Sequence, residues 1–119
     1  MTQPAQIAPN KGSYASEEKA LEVLVARIVD QVDPDAIWLF GSRARGTHRP
    51  DSDFDLLVVE ADPVSKREET RRLREAVKDL SVPVHVWVMG ELEFEETKNV
   101  IGGLAYPAHK YGVVLYENA

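Results

Sequence analysis

The stretch Ala36–Glu60, AIWLFGSRARGTHRPDSDFDLLVVE, decides how the rest of the chain is read. Its first residues, Ala36-Ile37-Trp38-Leu39-Phe40, form a short apolar run of aromatic and branched side chains, the pattern of a buried strand. Gly41-Ser42 ends that run. A polar segment with Arg43, Arg45, His48 and Arg49 leads to a second strand that begins inside Ser52–Val59. Strand side chains alternate faces, so Asp53 and Asp55 share one face and Phe54 takes the other. Two neighbouring carboxylates repel each other and resist desolvation unless a cation lies between them. A hard divalent ion such as Mg²⁺, bound through one or two carboxylates plus substrate phosphates, meets that need. Gly41-Ser42 suits the other half of such a site. Glycine lets the backbone approach a phosphate, and the N–H groups and hydroxyl that follow can donate to its oxygens.

Taken singly, each piece has a plainer meaning: Gly-Ser is a common turn, Asp-x-Asp a common solvated edge, and the basic segment an ordinary loop. The combination carries the information. Gly41-Ser42, ten intervening residues and Asp53-Phe54-Asp55 resemble the signature of the DNA-polymerase-β-like nucleotidyltransferase superfamily. The fuller string GSRARG…SDFDLLVV resembles its minimal nucleotidyltransferase branch, prokaryotic proteins that often act as antitoxins beside a HEPN-domain partner. Gly103-Leu104-Ala105-Tyr106 and Gly112–Glu117 resemble the ending of the same branch, so the likeness spans most of the chain after Ser16.

The resemblance implies a polymerase-β-like α/β fold and Mg²⁺-dependent transfer of an NMP, AMP from ATP in the first instance, to a hydroxyl on a protein partner. Asp53 and Asp55 would hold the metal, while Gly41 and Ser42, helped by Arg43 or Arg45, would hold the NTP phosphates. Either arginine can instead anchor its loop against Asp51 or Asp53. One position departs from the family pattern. The third carboxylate expected on a later strand is replaced, by position, by His85. An imidazole can accept a proton or ligate a metal through one ring nitrogen, or it can be a plain polar residue in a site that has lost its chemistry. Two activities therefore stand side by side, an adenylyltransferase and a catalytically degenerate antitoxin module that works by binding.

The remaining sequence fits one domain of residues 16–119 behind a flexible lead-in of residues 1–15. A helix from Ser16 is stopped by Asp33-Pro34, with Leu21, Leu24, Val25, Ile28, Val29 and Val32 as its apolar stripe and its acidic residues on a solvated face. A second, highly charged helix spans Ser65–Leu80, with Leu73, Val77 and Leu80 turned inward. Val82–Met89 reads as a strand with Val84, Val86 and Val88 on one face and His85 and Trp87 on the other. A short acidic helix over Glu91–Thr97, another ending at Gly112, and a last strand complete an α/β domain with a mixed sheet. The net charge of −6 argues against a general nucleic-acid-coating surface, and the absence of cysteine excludes thiolate chemistry and disulfides. No apolar run has the length of a membrane span and no secretory signal is apparent, which makes the cytoplasm the expected location. A homodimer through an exposed apolar surface is compatible with a domain of this size.

Overall fold

The computed structural model describes residues 16–46 and 53–118. The lead-in, His48, Arg49 and Asp51 lie outside the described residues.

The elements run α1 (Glu17–Gln31), β1 (Ala36–Phe40), α2 (Ser42–Arg45), β2 (Phe54–Glu60), α3 (Lys66–Val77), a 3-10 turn (Lys78–Leu80), β3 (Val84–Gly90), α4 (Glu91–Thr97), α5 (Ala105–Tyr111) and β4 (Val113–Glu117). Serines start the two long helices, Ser16 Oγ accepting from the Lys19 amide and Ser65 Oγ from the Glu68 amide, each at 3.2 Å. The charged segment with its narrow stripe is a helix, as expected, and Leu73, Val77 and Leu80 are all buried. In α1 the deepest residues are Ala20, Leu24 and Ile28, while Leu21, Val25, Val29 and Val32 pack around them half-buried. Pro107 is the third residue of α5, where its missing N–H breaks no intrahelical bond.

The four strands form a mixed sheet in the order β3-β2-β1-β4, with β2 and β3 parallel and both pairings of β1 antiparallel. Helices cover both faces. On one, α1 and α3 close over Ile37, Leu39, Phe54, Leu56, Val58 and Val86. On the other, α4, through Phe94, and α5 close over Phe40, Leu57, Val59 and Met89. Burying Phe54 fully on the first face contributes about 1.5–3 kcal/mol and sets the register. A slip of one residue would turn Asp55 into the α1/α3 core and Phe54 out of it. The apolar residue between the aspartates is therefore what directs both carboxylates to the opposite face.

β1 ends where β2, β3 and β4 begin, so one end of the sheet gathers Gly41, Asp53, Asp55, His85 and Gly112. No helix among the described residues is long and apolar enough to cross a membrane.

Candidate functional site

β1 delivers the chain to Gly41 at φ 79°, ψ −159°, a backbone region essentially restricted to glycine. A Cβ there would overlap the Asp55 carboxylate. Phe40 pairs with Asp55 across the sheet, so this close approach follows from the β1–β2 register. The turn at Gly41 lets Ser42 begin α2 directly beside that carboxylate, and Gly46, in the left-handed conformation, ends the same short helix.

On the parallel side, Asp55 pairs in register with His85. The imidazole Nε2 lies 3.1 Å from Asp53 Oδ2 and Nδ1 lies 3.6 Å from Asp55 Oδ1. One ring thus faces both carboxylates, which places the two acids around a common point. Burial pushes the Asp55 carboxyl above its ordinary value and the Asp53 charge adds to that, while His85 pulls it back. The arrangement favours a positive charge between the acids. The His85 side chain remains 56% exposed, so it can swing aside for a competing cation. Behind it, Trp87 meets its edge with ring centroids 5.6 Å apart, and Phe40 backs Trp87 at 5.5 Å.

The donor set fits a hard divalent ion. No group of three or more His, Cys, Asp or Glu side chains among the described residues is gathered to hold a metal unaided. Two carboxylates remain, oxygen donors that suit an ion completing its shell with phosphate and water.

The structure brings together Gly41, Ser42, Asp53, Asp55 and His85, but it turns Arg43 away. The Arg43 side chain is 1% exposed and its Nη1 donates to Glu17 Oε1 at 2.7 Å. Its guanidinium lies over the Phe54 ring, 4.3 Å from the centroid. Arg43 is therefore buried against Glu17 and Phe54, on the side of α2 that packs onto α1 and β2. The expectation that the acidic residues of α1 are all solvated fails with it, because Glu17 is buried. α2 carries no apolar residue large enough to bind it to α1, and the ion pair supplies that attachment. Arg45 ends α2, and its side chain lies outside the described residues. Nothing in the local sequence marks Arg43 for burial.

A mixed sheet with helices on both faces and a Gly-Ser turn against paired aspartates defines a nucleotidyltransferase fold. Comparisons with known proteins agree. The chain matches the nucleotidyltransferase domain family over residues 21–105. It is 34% identical over 86 residues to the Haemophilus influenzae protein named "Probable protein adenylyltransferase MntA", covering 68% of this chain and 72% of that one. The chain belongs to the nucleotidyltransferase domain family.

Solved structures share the fold at lower identity. A candidate nucleotidyltransferase of Sulfolobus solfataricus superposes with a TM-score of 0.58 at 20% identity, over 83% of this chain and 78% of that one. A toxin–antitoxin structure with AMP-PNP gives 0.52 at 22% identity, over 82% and 73%. A tri-AMPylated HEPN toxin of Shewanella oneidensis in complex with an MNT antitoxin gives 0.50 at 17% identity, over 85% and 72%.

Proposed function

We propose that this domain is a Mg²⁺-dependent adenylyltransferase that moves AMP from ATP to a hydroxyl on a HEPN-type protein partner. The observation that carries the reading is the convergence of Asp53 and Asp55 on one point beside the glycine-only turn at Gly41. The relative named as a protein adenylyltransferase supports the reaction class, and the toxin–antitoxin complexes of the same fold support the kind of partner.

In the transfer, the acceptor oxygen attacks the α-phosphorus, the bond to the bridging oxygen breaks, and pyrophosphate leaves. Gly41 and Ser42 hold the β- and γ-phosphates through backbone N–H groups and the hydroxyl, and Arg45 offsets charge on the leaving group. Asp53 and Asp55 would hold the Mg²⁺, which supplies neutralisation of the triphosphate when bound. The acceptor proton passes to His85, whose ring reaches both carboxylates from the open side of the site.

A second reading rests on the same histidine. A ring already set against both acids occupies the space a cation needs, which favours a domain that binds its partner without transferring a nucleotide. Incubation with Mg²⁺, α-labelled ATP and a neighbouring HEPN-type protein separates the two. Label on the partner from the parent, with a loss of about 10²–10⁴-fold in His85→Ala, establishes the transferase with His85 as base. An inert parent together with an active His85→Asp establishes the degenerate module. Equal transfer by the parent and His85→Ala makes the histidine a bystander.

A further inference from the structure

Outside the site, a row of basic side chains lies along α3. Arg67, Arg71, Arg74 and Lys78 recur at four-, three- and four-residue intervals, which puts them in one row along the exposed side of the helix and its 3-10 extension. At a rise of about 1.5 Å per residue the row is roughly 16 Å long. Part of it is balanced within the helix, Arg71 by Glu68 at 2.9 Å and Lys78 by Glu75 at 3.5 Å. Such exposed pairs are weak and open readily to a competing anion. Arg74 instead donates through Nε to the Val86 carbonyl at 3.1 Å, which fixes the row beside β3, one residue from His85.

The row lines a groove that shares Arg74 and Lys78 with a cleft of about 380 Å³ between α3 and β3. His85 forms part of the cleft wall, and Val77, Val82, Val84 and Trp87 make it apolar. A cationic track thus adjoins an apolar cleft whose wall includes the residue touching both aspartates.

We propose that this track docks an acidic segment of the acceptor protein, lying extended along Arg67, Arg71 and Lys78 and leading a hydroxyl-bearing side chain into the cleft beside His85. Delivery to the aspartates rests on the transferase reading; the docking does not. Alternate side chains of an extended peptide lie about 6.7 Å apart, close to the roughly 6 Å step from Arg67 to Arg71, so two successive carboxylates can meet these cations and a later one can reach Lys78. A nucleic acid fits less well. Its unbroken phosphate charge would run against Glu68 and Glu75 at the row's edge, which a peptide can meet with neutral side chains between its acids.

The test is fluorescence polarisation of a fluorescein-labelled decaglutamate peptide at low ionic strength, without nucleotide or metal. Failure here leaves the transferase reading standing, and failure of that reading leaves this result standing. The parent binds the peptide, binding weakens with added salt, and Arg67→Glu/Arg71→Glu weakens it on the order of tenfold or more. Glu75→Lys, which releases Lys78 from its weak exposed ion pair and adds positive charge to the row, tightens it. No binding by the parent, or an affinity that neither variant changes, overturns the proposal. So does a decauridylate that binds more tightly than the peptide under the same conditions.

Discussion

Gly41 shows how much of the site hangs on single atoms. Its φ of 79° disfavours any L side chain, and an added Cβ would push into the Asp55 carboxylate. Gly41→Ala is therefore expected to displace Asp55, with little change in helix content by circular dichroism and a loss of Mg·ATP affinity on the order of tenfold or more by calorimetry. Unchanged affinity would mean that the turn does not position the carboxylate. Ser42 makes a different prediction at the same scale. If its hydroxyl donates to the triphosphate, Ser42→Ala weakens ATP by the worth of a hydrogen bond to a charged group, about 1.5–3 kcal/mol, and leaves AMP nearly unaffected. Equal losses for both nucleotides would return Ser42 to the role of a turn residue.

At the scale of elements, α2 is attached to α1 by a buried charge pair. Removing one partner takes a buried ion pair from the other, so Glu17→Ala is expected to cost up to about 3–5 kcal/mol in urea denaturation. Replacing both residues together, as Glu17→Leu/Arg43→Met, should recover most of that loss, since an apolar pair needs no compensation. A double variant as unstable as the single one would show that the charges themselves hold α2.

The end of β2 carries a second buried acid. Burial, then the hydrogen bond and charge of Glu69, push Glu60 from 4.5 up to about 7, with Arg72 opposing. The folded protein keeps this proton where the unfolded chain has released it. Stability from this group therefore falls as pH rises from about 4.5 to about 7, and is level on either side of that window. Thermal melts of Glu60→Gln should lose this dependence, matching the parent near pH 4 and exceeding it near pH 8. A parent whose melting temperature is flat across the window would contradict the assignment.

For the whole molecule, sequence and structure agree where one physical rule dominates. Period-2 alternation around Phe54 gave the shared face of Asp53 and Asp55, and the caps at Ser16 and Ser65 gave both long helices. The acidic helix Glu91–Thr97 and the strand after Gly112 followed from equally local signals. What was not legible depends on contacts distant in sequence. Arg43 and Glu17 are 26 residues apart, and neither bears any local mark of burial. The meeting of His85 with both aspartates depends on the parallel β2–β3 register, which alternation cannot fix.

Calorimetric titration of Mg·ATP into the parent, Asp53→Asn and Asp55→Asn tests the central claim most directly. The parent is expected to bind in a Mg²⁺-dependent manner, and each variant to bind on the order of tenfold more weakly with its fold intact, since each loses one of the carboxylates that face the common point. Equal Mg·ATP affinity in all three proteins would contradict the assignment of Asp53 and Asp55 as the metal and nucleotide site.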